Sequence, residues 1–165
     1  MPVQPVLREA GSEDRLVLEQ MLYEAIYVPT GSAPVDPSLI RTPELRRYYE
    51  GWMGPGDAGI IAQSSNNAIG AAWVRLFPLD APGYGYIGPD VPELSMAVLR
   101  GCRGCGIGSM MLEKLLGLLS DRGLKRVSLS VDSRNPALRL YRRFGFQEFT
   151  VSGESMVMIR DLDIS

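Results

Sequence analysis

The sequence predicts a single α/β domain, residues 1–165, with a mixed sheet of about seven strands and about four helices. Three observations carry this. Segments with strand-like and helix-like apolar periods follow the order β-α-α-β-β-β-α-β-α-β-β. The chain has 165 residues, the size of one domain with a core of its own, and no repeat, linker or low-complexity tract divides it. A glycine-rich loop joins a strand to a long amphipathic helix beyond the chain's midpoint.

The elements are justified in turn. Val3 to Arg8 reads as a first strand, ended by Glu9-Ala10-Gly11. Ser12 is the expected N-cap of the first helix, with Glu13 and Asp14 in a first turn where acids suit the helix dipole. Leu16, Met21, Leu22, Ala25 and Ile26 give that helix one apolar face, and Pro29 ends it. After a turn-rich stretch, Thr42-Pro43-Glu44 starts a second helix running to about Trp52, with Pro at its first position. Ala58 to Gln63 and Ala68 to Phe77 form a hairpin around the turn Ser64-Ser65-Asn66-Asn67. Pro78 to Pro92 is a long loop, of the kind that often carries function. Glu93 to Leu99 is a strand, and a helix follows from about Gly108 to Arg122. Its buried face is Ile107, Met111, Leu112, Leu115 and Leu119, and Gly123 is its stop. Arg126 to Val131 is a valine-rich strand and Asn135 to Phe144 a short helix. Phe146 to Val151 and Ser155 to Leu162 are two closing strands.

Composition narrows the chemistry. Apolar residues make up 45% and charged residues 22%, with a net charge of −2, so a folded, non-basic protein is expected, with no nucleic-acid partner. No apolar run approaches the roughly 18 residues of a membrane span, and no signal-peptide pattern opens the chain, so a cytoplasmic location is expected. The chain has no histidine, which excludes a Ser-His-Asp triad and any His-ligated metal. A general base must then be Asp, Glu, Lys, Tyr, Cys or water. Cys102 and Cys105 have C-x-x-C spacing, but zinc would need two further ligands, so no metal is expected.

The loop Arg103-Gly104-Cys105-Gly106-Ile107-Gly108 carries the functional reading. The first turn of a helix leaves N–H groups without partners, and the dipole adds positive charge there, so this end attracts phosphate. Glycines 104, 106 and 108 let the backbone come close to a ligand, and Arg103 adds charge. A Walker loop would need lysine after its last glycine, where Ser109 stands, and the G-x-G-x-x-G dinucleotide fingerprint does not fit.

Arg103-x-x-Gly106-x-Gly108 resembles the acetyl-CoA signature Q/R-x-x-G-x-G/A of the GNAT superfamily of N-acetyltransferases. Asn135-Pro136-Ala137-Leu138-Arg139-Leu140-Tyr141-Arg142-Arg143-Phe144-Gly145-Phe146 is similar to that family's N-x-x-A-x-x-L/F-Y-x-x-x-G-F segment. The resemblance is specific over Glu93 to Phe149 and architectural before that. Arg100 stands where many members carry proline. The resemblance implies a mostly antiparallel central sheet and acetyl-CoA as cosubstrate. It also implies site roles. The main chain of Met96 and Val98 would pair with the pantetheine arm, and an N–H near Val98 would polarise the thioester carbonyl. N–H groups from Arg103, Gly104, Gly106 and Gly108 to Ser109 would hold the pyrophosphate. Asn135 would bond the pantetheine arm or brace the last loop. Tyr141 matches the family tyrosine that protonates the leaving thiolate, although a tyrosine packed in the core would look the same in sequence. Glu93, opening the strand that carries the thioester, is the candidate base, unless it is a solvated strand end.

The acceptor is expected to be a primary amine of a small molecule or peptide. Tyr23, Tyr27, Tyr48, Tyr49, Trp52, Tyr84 and Tyr86 share the early helices and loops with Glu24, Asp36, Glu50, Asp80 and Asp90. Aromatic and acidic residues together would suit a cationic amine, and ordinary loop and core aromatics would account for them equally. Many members of the family pair as dimers, so a homodimer is open to this chain. The rival reading is a catalytically silent acyl-CoA-binding module, which would need neither Glu93 nor Tyr141.

Overall fold

The computed structural model describes residues 4–162. The strands are β1 (Val6–Glu9), β2 (Ala58–Ser64), β3 (Asn67–Arg75), β4 (Glu93–Val98), β5 (Arg126–Asp132), β6 (Gln147–Ser152) and β7 (Ser155–Asp161). The helices are α1 (Arg15–Ala25), α2 (Pro43–Arg46), α3 (Ile107–Asp121) and α4 (Ala137–Arg143). One sheet runs β1-β2-β3-β4-β5-β7-β6. Every neighbouring pair is antiparallel except β4 with β5.

Strand alternation divides the apolar residues into two cores. Ile61, Ala71, Trp73 and Ala97 pack with Leu18, Met21 and Leu22 of α1. Ile60, Ala62, Ala72 and Val74 pack on the opposite face with Ile107, Met111, Leu112, Leu115 and Leu119 of α3. All five residues expected on the buried face of α3 are buried, joined by Leu116. β2 and β3 are covered on both faces and read as continuous apolar runs. Gly123, with φ of +79°, follows the C-cap of α3.

Several boundaries differ from the sequence expectation. Val3 lies outside the described residues, and β1 begins at Val6. Ser12 is not an N-cap. It lies inside a 3-10 turn, Ser12–Asp14, and the buried Asp14 carboxylate instead accepts the Gly11 N–H at 2.7 Å while holding both Arg8 terminal nitrogens at 2.7 and 2.8 Å. Leu16 is 67% exposed and takes no part in the α1 face. The hairpin turn is tighter than expected: Ser64 pairs with Asn67, and Ser65 and Asn66 both have positive φ, 51° and 68°. Those signs are those of a two-residue type I′ turn, whose twist matches the strands.

The second helix stops at Arg46 instead of continuing to Trp52. The Arg75 guanidinium explains the change. It donates to the carbonyls of Arg47, Glu50 and Gly51, so the chain there does not depend on helical partners. Arg75 also binds both oxygens of Asp57, at 3.0 and 3.1 Å. Tyr48, Tyr49 and Trp52 are still buried, delivered by turns.

Candidate active site

β4 and β5 share one register pair, Glu93 with Ser128, supported by the Ser128 N–H donating to Pro92 O at 3.0 Å. Beyond it the strands diverge. The gap opens a cleft of about 1030 Å³, walled by Glu93 to Val98 on one side and Ser130, Val131, Asn135 and Tyr141 on the other. The Leu99 N–H donates to Ile69 O of β3 at 2.8 Å. In an extended strand, alternate residues turn their backbone polar groups to opposite edges. Leu99, Ala97 and Ser95 therefore face β3, and Leu94, Met96 and Val98 offer theirs to the cleft. The Val98 carbonyl already accepts Arg103 Nε at 2.8 Å.

At the outer end of the cleft lies the glycine-rich loop. Gly104 and Gly106 have φ of +80° and +81°, and nothing lies within 4 Å of where a Cβ would sit on either. This left-handed backbone suits glycine and turns the first N–H groups of α3, Ile107 to Ser109, outward without a capping side chain. Gly108 lines the cleft, and a Cβ there would stand 3.3 Å from Leu140. Arg103 is held back: it bonds Val98 O and the Glu24 carbonyl and stands 3.9 Å from the Glu24 carboxylate. Cys102 and Cys105 are free thiols, the second exposed. Among the described residues no group of three or more Cys, Asp or Glu side chains could hold a metal ion.

At the inner end stands Glu93, 4% exposed. Its Oε2 accepts the Tyr48 hydroxyl at 2.6 Å and its Oε1 accepts the Gly85 N–H at 3.0 Å. Burial disfavours the ionised form and pushes its pKa up to about 7, against the opposing pull of those two hydrogen bonds. Tyr48 is pinned in turn: its hydroxyl accepts the Tyr84 N–H at 2.8 Å, and its ring stacks on Tyr84 with centroids 6.5 Å apart. Gly85 sits so close to β5 that a Cβ there would lie 2.8 Å from the Leu129 carbonyl carbon. Its carbonyl accepts the buried Ser128 hydroxyl at 2.7 Å. The loop over residues 78–92 is therefore a cover fastened over Glu93.

Tyr141 is buried, and its ring meets Phe146 edge-on at 5.8 Å. Among the described residues no hydrogen bond reaches its hydroxyl, which is not a sealed-off polar atom and so opens on the cleft it lines, and burial pushes its pKa up to about 12. Asn135 lies before Pro136, the N-cap of α4, and accepts the Ala137 N–H on Oδ1 at 2.9 Å in a local turn, while its residue lines the cleft. Asp132 is a turn residue bonded to the Arg134 N–H at 2.8 Å, and Asp90 is exposed.

The fold thus gathers Glu93, Met96, Val98, Arg103, Gly108, Asn135 and Tyr141 around one cleft. Of the five acids expected beside the aromatics it brings Glu24 to the cleft, facing Arg103, and leaves the other four outside. Asp36 accepts the Ser38 N–H, Glu50 pairs with Arg46, and Asp80 and Asp90 are exposed outside the cleft. Tyr49 and Trp52 belong to the core. Tyr48 was legible only as an acceptor-side aromatic. Its bond to Glu93 spans 45 positions and leaves no local sequence signal.

Comparison with known proteins bears on the family and the fold. A mycothiol acetyltransferase of Thermomonospora curvata is 37% identical over 109 residues, covering 64% of this chain and 32% of that protein. A ribosomal protein bS18-alanine N-acetyltransferase of Haemophilus influenzae is 35% identical over 57 residues, covering 34% of this chain and 39% of that protein. The chain thus spans about a third of the length of the mycothiol acetyltransferases it matches, 32% of one and 34% of another. The N-acetyltransferase PaiA of Thermoplasma acidophilum, solved with coenzyme A, superposes with a TM-score of 0.68 at 15% identity, covering 96% of this chain and 99% of that one. The acetyltransferase yncA of Salmonella typhimurium superposes with a TM-score of 0.69 at 18% identity, covering 97% and 95%. These two likenesses carry the fold. The model of the Acetyltransferase (GNAT) family matches residues 23–146, three quarters of the chain from the acceptor-side segment through the glycine loop to Phe146, and the chain belongs to that family.

Proposed function

We propose that this protein is an N-acetyltransferase that moves the acetyl group of acetyl-CoA to a primary amine of a small molecule or peptide by direct attack. One observation carries the reading: a single cleft holds a buried carboxylate, Glu93, whose pKa is pushed up to about 7, and a tyrosine, Tyr141, whose hydroxyl bonds no group among the described residues.

The residues present fit acetyl-CoA. The outward N–H groups at the start of α3, with Gly104 and Gly106 clearing the approach, suit a pyrophosphate. The free backbone edge at Met96 suits an amide-bearing arm lying along β4, and Asn135 lines the other wall. Acetyl-CoA supplies the thioester. Glu93 takes the proton from the acceptor nitrogen as that nitrogen bonds the acetyl carbon. Each carboxylate oxygen has a second lone pair beyond the bond it already accepts. Tyr141 returns a proton to the sulfur as the carbon–sulfur bond breaks, so amide and free thiol leave with all protons accounted for. A base titrating near neutrality is matched to work at neutral pH. A neutral phenol is matched to donate, since burial keeps it protonated.

The test is release of free thiol from acetyl-CoA in the presence of a panel of primary amines, alongside melting with and without acetyl-CoA. A ligand that binds only the native state raises its melting temperature. A raised melting temperature with amine-dependent thiol release is the expected result. A raised melting temperature with no thiol from any amine would instead support a silent acyl-CoA-binding module.

A further inference from the structure

The acceptor half of the cleft runs from Glu93 out past the segment between α1 and α2. That segment is held in place by the Tyr23 hydroxyl, which donates to Val35 O at 2.7 Å. On this side Tyr27, Val28, Val35, Leu45, Tyr48 and Tyr84 line it, and Glu24 lines it as well. The carboxylates that border it are already taken. Glu24 faces the Arg103 guanidinium at 3.9 Å. Asp132 and Glu154 both grip Arg134, at 2.9 and 2.8 Å, and that guanidinium covers the Tyr27 ring at 5.8 Å from its centroid. Among the described residues, Glu93 is therefore the one carboxylate lining the acceptor half that no arginine engages. Tyr84 is 61% exposed and lies nearly parallel to Tyr48, so it offers an open aromatic face beside Glu93.

Resting on the transferase reading, we propose that the acceptor is a monoamine with an apolar or aromatic body, and that polyamines and aminoglycoside-like polycations are excluded. One ammonium group pairs with one carboxylate, Glu93; it gives one proton to solvent before attack, and Glu93 takes a second as the amide forms. A second ammonium would leave water for a wall of Tyr27, Val35 and Leu45 that gives it no anion, and burying an unpaired charge is unfavourable. The body of the acceptor is held by burial against that wall and by stacking on Tyr84. The same chemistry is offered by a free arylalkylamine or by the α-amine of a hydrophobic residue at a peptide N-terminus.

The experiment compares kcat/KM for 2-phenylethylamine, leucine amide, the dipeptide Phe-Ala, 1,4-diaminobutane and spermidine, read as thiol release from acetyl-CoA. The expected result is a preference of about tenfold or more for the apolar monoamines over the diamine and spermidine, the least that an unpartnered charge would impose. Phe-Ala above the free amines identifies a peptide source, and the reverse order a small molecule. Tyr84→Glu, at an exposed position where folding is little affected, should narrow the gap by raising activity on 1,4-diaminobutane. Equal or better turnover of spermidine by the wild-type protein overturns the acceptor class while leaving the transferase reading intact. Thiol release with none of the five amines, from protein whose melting temperature rises with acetyl-CoA, overturns the transferase reading and the acceptor class with it.

Discussion

The Tyr48 hydroxyl donates to Glu93 Oε2 at 2.6 Å, joining a turn after α2 to the first residue of β4. The bond favours the ionised carboxylate, and burial opposes it more strongly, so the pKa settles at about 7. Tyr48→Phe removes the donor and keeps the ring that packs edge-on against Phe77 at 5.0 Å. The pKa of Glu93 should then rise further. With Glu93 as base, the acidic limb of the kcat/KM profile should move to higher pH, with activity partly restored in alkaline buffer. An unchanged limb would mean that Glu93 is not the titrating base.

The same raised pKa has a consequence for stability. An ordinary glutamate titrates near 4.5. Between pH 4.5 and about 7 the folded protein holds a proton on Glu93 that the unfolded chain has released. Stability from this group is therefore full below pH 4.5 and is lost as pH rises through about 7, by on the order of 3 kcal/mol. Glu93→Gln cannot titrate, so its melting temperature should lack this decline between pH 5 and 7. The check is a pH series of melting curves for both proteins. Parallel curves would show that Glu93 does not titrate in that window.

Tyr141→Phe removes a hydroxyl that bonds to no group among the described residues and leaves the ring against Phe146. The variant should melt close to the wild type. A positioned acid contributes about 10²–10⁴-fold in rate, so kcat should fall within that range while acetyl-CoA affinity changes little. Full kcat on the accepted amine would mean that the thiolate leaves without this proton.

The parts of this molecule written locally in the chain were readable there. The period of Ile107, Met111, Leu112, Leu115 and Leu119, and the left-handed glycines beside them, are set by neighbours three or four positions away. The α2 region was misread because its end depends on Arg75, which reaches back 24 to 28 positions for its carbonyls. The Ser12 cap was misread because Asp14, held by Arg8 across six positions, took the Gly11 N–H. The environment of Glu93 is also non-local, drawn from Tyr48, Gly85 and Ser128 on three separate segments. A strand-end glutamate looks solvated in sequence, and only the cover over residues 78–92 makes it buried.

The phosphate end of the cleft can be tested apart from catalysis. Gly106 has φ of +81° and no atom within 4 Å of a Cβ position, so the fold has room for a side chain but must adopt a left-handed backbone to carry it. That conformation costs a non-glycine residue about 1–2 kcal/mol, which a protein with a core on each face of its sheet should survive. Gly106→Ala should therefore lower the melting temperature slightly. Gly106→Glu should lower it by a similar amount and also abolish the rise produced by acetyl-CoA, because its carboxylate would stand among the N–H groups of Ile107 to Ser109 where a pyrophosphate would lie. Comparing the two variants separates backbone strain from charge. Calorimetry that finds wild-type affinity for acetyl-CoA in folded Gly106→Glu would remove this loop from the binding site.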